Sequence, residues 1–450
     1  MPETRHTIVR LLQNIGSRKE VEQYLKQFAS LESRQFAIIK AGGAVLRDDL
    51  ENLASSLSFL QRVGLYPIVV HGGGPQLDRA LREEGVETPK VDGMRVTPPE
   101  ALEVARKVFR RENIRLVDAL EKMGTHARPI TSGVFEAQIL DHEKFGLVGE
   151  ITNIHTDAIN SAIRGGCLPI LSSLGETPGG QIVNINADVA TRKMAIRVEP
   201  LKIVFLTQTG GLLDQYDRVI ESVNLVEDYD DLMAKDWVHS GMRLKLQQIK
   251  ELLHELPLSS SISMTTPSQL ARELFTHRGS GTLVRRGERI TDYEGIEELD
   301  PQKIRQLLEA CFQRELADDY FEKKPFHRIY LSDSYRAIAI ITEEDGLPYL
   351  DKFGVTRKAQ GEGLGHSLWS RMKHDFPTLF WRARTENPIN SWYFQEADGT
   401  YKNGHWTVFW YGIESFEEMK KCVEIASNMP ATFARHAVAE EYDESTPSTA

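Results

Sequence analysis

Three short segments combine residue types that can hold phosphate or pyrophosphate groups. Lys40-Ala41-Gly42-Gly43 and His71-Gly72-Gly73-Gly74-Pro75 each join a β-rich run to a helical stretch. Glycine lets backbone N–H groups approach an anion closely, and the following helix N-terminus adds partial positive charge. Two such loops side by side can grip a transferring phosphoryl group; taken singly, each reads equally well as a tight strand-to-helix turn. The third segment, Gln360-Gly361-Glu362-Gly363-Leu364-Gly365-His366, follows the strand-like run 349–355 and precedes a helix expected from about Ser367, an arrangement suited to a pyrophosphate. A dinucleotide fold would require Gly at 366, where His366 stands, and no Gly-x-x-x-x-Gly-Lys-Ser/Thr loop occurs, which excludes an ordinary P-loop enzyme.

The elements that must position these segments follow from hydrophobic patterning. From 36 to about 286, short β-rich runs alternate with longer helical stretches: 36–40, a helix near 50–63, 67–71, a helix over 75–84, and again 201–207, a helix near 242–255, and 259–265. This is βαβ rhythm and predicts an α/β domain with a mainly parallel sheet covered by helices. Residues 288–300 are acidic and turn-like, and apolar periodicity restarts at Ile304. The expected organisation is N-terminal helices over 1–34, a first domain over 35–287, a linker over 288–300, a second domain over 301–438 and a polar tail over 439–450.

Length and charge narrow the class. A chain of 450 residues exceeds one ordinary core. Its net charge of −11 argues against nucleic acid or an anionic membrane as partner, because either gains most of its binding from clustered Lys and Arg. The three cysteines, Cys167, Cys311 and Cys422, lie far apart without metal-ligand spacing, which predicts neither a disulfide framework nor a zinc site. With no signal-like or membrane-spanning apolar run, the expectation is a cytoplasmic protein.

Five motifs in order resemble the amino-acid kinase family, specifically N-acetylglutamate kinase: Lys40-Ala41-Gly42-Gly43, His71-Gly72-Gly73-Gly74, Gly93-Met94-Arg95-Val96-Thr97, Asn184-Ile185-Asn186-Ala187-Asp188 and Gly241-Met242-Arg243-Leu244-Lys245. The resemblance implies that Lys40 and Lys245 neutralise charge on the transferring phosphoryl group, with Asp188 holding both ammonium groups. Phosphoryl transfer depends mostly on such positioning and charge compensation. Gly42, Gly43, Gly72 and Gly73 would supply backbone donors to ATP, Arg95 and Asn184 would bind N-acetyl-L-glutamate, and Mg2+ would accompany ATP without protein ligands. One position departs from the pattern: Gln208 stands where these kinases often carry Asp.

The C-terminal third resembles the GNAT-type acetyltransferase domain of vertebrate-like N-acetylglutamate synthases. The resemblance rests on Leu350-Asp351-Lys352-Phe353, the glycine segment 360–365, Phe380-Trp381-Arg382-Ala383-Arg384, Asn387-Pro388-Ile389-Asn390, Trp392-Tyr393-Phe394 and Phe409-Trp410-Tyr411-Gly412. It implies an α+β fold and acetyl-CoA held by Phe353, Val355, Gln360, Gly361, Gly363 and Gly365. L-glutamate or its product would be held by Lys352, Arg382, Arg384 and Asn387, and Tyr393 would lie nearest the leaving sulfur. A phenol can give the departing thiolate its proton; Lys352 serves as the base only if burial depresses its pKa.

Together these resemblances imply an arginine-biosynthesis enzyme that acetylates glutamate and phosphorylates the product. A second reading, a synthase whose kinase-like domain only senses arginine, shares the architecture, but a sensor has no need of Lys40, Asp188 and Lys245 together. Relatives sensitive to L-arginine carry an amphipathic helix ahead of the kinase core. Residues 4–28 match that description, with Gly279 and Gly281 near the effector and a homo-oligomer, dimer or tetramer, expected.

Overall fold

The computed structural model describes residues 36–433, apart from 92, 276–279, 358 and 361–362. The expected N-terminal helices and polar tail, and with them Gly279 and Gly361, lie outside the described residues. The chain divides after Arg286 into two compact units.

The first unit is built on an eight-stranded sheet. Its order is Ser222–Asn224, Thr282–Arg285, Ser261–Thr265, Lys202–Leu206, Ala37–Ala41, Ile68–His71, Leu168–Ser172 and Ala127–Ile130. All neighbours are parallel except Ser261–Thr265 and Thr282–Arg285. Successive side chains of a strand point to opposite faces, and both faces here are covered. Ile38, Ile68, Val70 and Ile203 pack with Met194 and Leu246, whereas Ala37, Ile39, Val69 and Val204 pack with Leu53, Leu57, Leu116 and Leu270. That explains why these strands read as unbroken Val/Ile runs. A second sheet combines Ile182–Asn184, Leu174–Glu176, Phe135–Ile139 and Gly149–Ile154.

The second unit holds a seven-stranded sheet, in order Ile290–Tyr293, Phe326–Ser332, Ala337–Glu344, Leu347–Val355, Leu379–Arg384, Trp406–Tyr411 and Gly399–Lys402. Ile338 and Ile340 face the helix Pro301–Phe312, and Ala337, Ala339 and Ile341 face the helix Leu364–Asp375. Two expectations are corrected. The stretch 288–300 is not a plain linker, because Ile290–Tyr293 pairs antiparallel with Phe326–Ser332 as an edge strand, with Ile290 buried in the second core. The helix after the glycine segment starts at Leu364 rather than near Ser367, because Gly363, at φ 87°, makes the left-handed entry that only glycine adopts freely. No helix among the described residues is long and apolar enough to cross a membrane.

Candidate active sites

In the first unit the two glycine loops meet at the carboxyl ends of adjacent parallel strands, the usual ligand position in open α/β sheets. Gly43 lies so close to the second loop that a Cβ on it would stand 2.6 Å from Gln76 Oε1 and 2.8 Å from Pro75 Cδ. Gln76 Nε2 donates to the Gly43 carbonyl at 2.8 Å, tying one loop to the other. Gly42 and Gly73 precede the helices Gly43–Asp48 and Gly74–Glu83, neither of which has a side-chain cap, and first-turn N–H groups without an intrahelical partner can serve an anion. Gly72 is corrected in role. Its N–H is taken by the Ala41 carbonyl at 3.2 Å, and a Cβ there would press on Ala187 Cβ at 3.2 Å. Gly72 therefore lets the helix Ala187–Val198 approach rather than donating to phosphate.

That helix carries Asp188 in its first turn, capped by Asn186, whose side-chain oxygen accepts from Asp188 N at 2.8 Å. Lys40 Nζ pairs with Asp188 Oδ1 at 2.8 Å. Lys245, from the helix Ser240–Glu255, faces the same pair: partial burial and the charge of Lys40 lower its pKa, and the Asp188 carboxylate opposes them. Two ammonium groups and one carboxylate leave one net positive charge beside the glycine loops.

Arg95 and Asn184 converge through Thr97, the last residue of the Gly93-Met94-Arg95-Val96-Thr97 motif. Thr97 Oγ1 donates to the Arg95 carbonyl at 2.9 Å and accepts from Asn184 Nδ2 at 3.1 Å. The Arg95 guanidinium also pairs with Asp78 and donates to Thr88 Oγ1 at 2.9 Å. Gln208 Nε2 donates to Asp48 Oδ2 at 2.7 Å, which keeps the Asp48 carboxylate within reach of that position. His71 is buried; Asn113 Nδ2 donates to its Nε2 at 3.0 Å, leaving the ring proton on Nδ1 toward the Gly72 carbonyl at 3.2 Å. Burial pushes its pKa down to about 4. Near the expected effector, a Cβ on Gly281 would run into the Met264 and Gly210 carbonyl oxygens. Close by, the buried Glu273 accepts from Ser280 N at 2.8 Å.

In the second unit the strand Leu347–Val355 stays paired with Ala337–Glu344 through Val355. It pairs with Leu379–Arg384 only at Tyr349 and Leu350. Beyond Leu350 these two parallel strands part, and among the described residues no strand pairs with the freed edge of 351–355. An extended amide-containing ligand can hydrogen-bond to such an edge. Phe353 and Val355 lie on it, Gln360 Nε2 donates to the Val355 carbonyl at 3.2 Å, and Gly365 sits 3.4 Å from Val355 Cγ2 when given a Cβ. Gln360, Gly363 and Gly365 are thus gathered between the open edge and a helix N-terminus.

Tyr393, on the helix Asn390–Glu396, is buried among Trp369, Trp381, Trp392 and Phe409, with ring centroids 5.4–5.9 Å away. Burial raises its pKa, so the phenol keeps its proton at neutral pH. Lys352 is buried, with its Nζ donating to Asp351 Oδ2 at 2.6 Å and to Thr432 Oγ1 at 2.8 Å. Burial lowers its pKa and the Asp351 carboxylate resists that. Arg382 and Arg384 share one face of their strand, over Trp406 at 4.1 and 5.8 Å. The Arg382 guanidinium, however, is turned to the carbonyls of Ala426, Met429 and Pro430 at 2.6–2.8 Å, closing the end of the helix Phe416–Asn428. Asn387 Oδ1 accepts from Ile389 N at 3.3 Å in the turn that leads into the Tyr393 helix. Asp351 carries its signal within the Leu350-Asp351-Lys352-Phe353 motif, and nothing local in the sequence marks Thr432.

The folds and sites define a two-unit transferase, a phosphotransferase of the amino-acid-kinase type followed by a GNAT-type N-acetyltransferase. Residues 35–259 match the model of the amino acid kinase family, and residues 291–429 match that of NAT, the N-acetyltransferase of N-acetylglutamate synthase. An acetylglutamate kinase of Xylella fastidiosa is 50% identical over 93% of this chain and 99% of its own. The human mitochondrial N-acetylglutamate synthase is 33% identical over 93% of this chain and 77% of its own. A solved N-acetylglutamate synthase from Neisseria gonorrhoeae, complexed with coenzyme A and N-acetyl-glutamate, has a TM-score of 0.60 at 18% identity, covering 88% of this chain and 98% of its own; it supports the fold alone. The chain belongs to the amino acid kinase family, in the branch of acetylglutamate kinases fused to the N-acetyltransferase of N-acetylglutamate synthase.

Proposed function

We propose that this protein acetylates L-glutamate with acetyl-CoA and phosphorylates the side-chain carboxylate of N-acetyl-L-glutamate with ATP, two steps of arginine biosynthesis. The observation that carries the kinase half is the Lys40–Asp188 pair at 2.8 Å with Lys245 facing it. The acceptor carboxylate attacks the γ-phosphorus, ADP leaves, and the two ammonium groups offset charge on the equatorial oxygens. Gly42, Gly43 and Gly73 shape the phosphate loops, Arg95 and Asn184 hold the acetylglutamate, and Mg2+ enters with ATP. An arginine sensor without phosphoryl transfer would not need this charge arrangement.

In the acetyltransferase, the neutral amine of glutamate attacks the thioester carbonyl carbon, the C–S bond breaks, the thiolate takes a proton from Tyr393, and the acylated nitrogen releases its surplus proton to water, from which the phenol is restored. Phe353, Val355, Gln360, Gly363 and Gly365 hold acetyl-CoA along the open strand edge, and Gly361 belongs to the same set by its motif alone. Lys352, Arg384 and Asn387 face glutamate, and Arg382 orders the wall beside them. Tyr393 is a proton source because its phenol is protonated at neutral pH, and the burial that raises its pKa makes it a weaker acid until the thiolate forms beside it.

Feedback inhibition by L-arginine near Gly279 and Gly281, a homo-oligomer and a cytoplasmic setting belong to the same reading. The buried Glu273 carboxylate supports an effector that carries a guanidinium. Both activities measured on one sample, with and without arginine, test the proposal. Acetyl transfer with no ATP-dependent acetylglutamyl phosphate would favour the sensor reading, and unchanged rates across an arginine titration would remove the regulatory part.

A further inference from the structure

The strand Leu347–Val355 contains a β-bulge. Ile341 faces Leu350 and Ile340 faces Lys352, so Asp351 is the extra residue. Its side chain is only 4% exposed, and three donors converge on its two oxygens. Lys324 Nζ stands 2.7 Å from Oδ1, while Lys352 Nζ at 2.6 Å and the Tyr320 hydroxyl at 2.7 Å donate to Oδ2. The Lys352 ammonium also lies 4.9 Å from the Tyr320 ring centroid and 5.2 Å from that of Phe433. A buried ion cluster is no source of stability by itself, since apolar residues of the same volume pack as well. What it does provide is charge in a fixed place. Two ammonium groups on one carboxylate leave a net positive charge, moderated by the more exposed Glu344, 3.9 Å from Lys324.

We propose that Asp351 is a positioning residue for acetyl transfer: it fixes the Lys352 ammonium against a carboxylate of the amino-acid acceptor, and Lys324 is the second cation that stops the Asp351–Lys352 pair from cancelling. This rests on the reading of Lys352 as a contact of that carboxylate. Burial works against a charged Asp351, yet Lys352 and Lys324 outweigh it and hold the carboxyl well below the usual range. Besides Asp351, the charged groups facing Lys352 are Lys324 and Arg382, both of which lower its pKa together with burial. Tyr320 and Tyr349, both pushed upward by burial, stay neutral. Without Asp351 the buried amine has no counter-charge and sheds its proton as the pH rises.

The test is steady-state acetyl transfer by the full chain, varying glutamate at saturating acetyl-CoA from neutral to alkaline pH. In Asp351→Asn the glutamate KM rises at least about tenfold, the scale of one hydrogen bond to a charged group, and rises further with pH. The kcat and the acetyl-CoA KM stay within about threefold of wild type. In Lys324→Met the glutamate KM rises too but stays flat with pH, because Lys352 keeps its counter-ion. An unchanged glutamate KM in Asp351→Asn, or a parallel loss of kcat and both KM values in the two variants, overturns the proposal. If Asp351→Asn does not fold, Lys324→Met decides alone. An unchanged glutamate KM in Lys352→Met would instead strike down the underlying reading of Lys352, and the role of Asp351 with it.

Discussion

Replacing Lys245 with Ala removes one of the two cations that face the phosphoryl position while leaving the Lys40–Asp188 pair at 2.8 Å intact. The net charge of the clamp falls from +1 to zero. A unit charge about 4 Å from an opposite one, near a protein surface, contributes about 4 kcal/mol. Only the part of that attraction that grows as charge develops on the equatorial oxygens accelerates the reaction, so a loss of about 3 kcal/mol, or roughly a hundredfold in kcat, is expected. The assay traps acetylglutamyl phosphate with hydroxylamine after supplying ATP and N-acetyl-L-glutamate. The same preparation is measured for thiol release from acetyl-CoA with glutamate. Acetyl transfer should be unchanged, because Lys245 lies in the first unit and the acetyltransferase sheet in the second. A kinase rate within about tenfold of wild type would refute the charge argument, and a parallel fall in both activities would refute the independence of the two sites.

Three further outcomes follow from individual contacts. His71 takes up a proton near pH 4 when folded but near its ordinary 6.5 when unfolded, so it costs nothing above pH 6.5. Stability falls as pH drops from 6.5 toward 4, by up to about 3 kcal/mol; His71→Asn should flatten that limb in denaturant unfolding of the kinase unit. Gly43→Ala places a Cβ 2.6 Å from Gln76 Oε1 and 3.0 Å from Gly74 N. It should push the two glycine loops apart and lower kinase kcat/KM by about a hundredfold, with acetyl transfer untouched as the control. Gly363→Ala forces a side chain into φ 87°; a cost of about 1 kcal/mol should appear as a raised KM for acetyl-CoA and no change in kinase rate.

The kinase core was legible because parallel strands buried on both faces leave continuous apolar runs, and because its clamp sits on motifs with fixed spacing: Lys40 is the penultimate residue of a strand and Asp188 lies in the first turn of a helix. The second unit was legible at its glycine segment and its tryptophans. What stayed hidden depends on contacts between residues distant in sequence. Ile290–Tyr293 reads as acidic and turn-like, and only its pairing with Phe326–Ser332 makes it a strand. The role of Gly72 follows from the approach of Ala187, more than a hundred residues later. The bulge at Asp351 has no signature of its own, since it is defined by which residues of Ala337–Glu344 stand opposite.

Arg382 shows how a residue can be functional in the wrong place for a simple reading. It alternates with Arg384 on one strand face, which pointed to two cations for one substrate. In the structure its guanidinium donates to Ala426, Met429 and Pro430 instead. Those carbonyls end the helix Phe416–Asn428, and the chain then runs on to Thr432, whose hydroxyl accepts from Lys352. Arg382→Ala should therefore leave helix-end carbonyls without their donor, at about 2–4 kcal/mol, and loosen the segment that meets Lys352. Acetyl transfer should fall while kinase activity holds. A double-mutant cycle separates this from direct substrate binding. If Arg382 acts through the segment, Arg382→Ala and Thr432→Val are strongly non-additive in kcat/KM for glutamate. If the two effects simply add, Arg382 acts on substrate by itself and its contact with the helix end is incidental to catalysis.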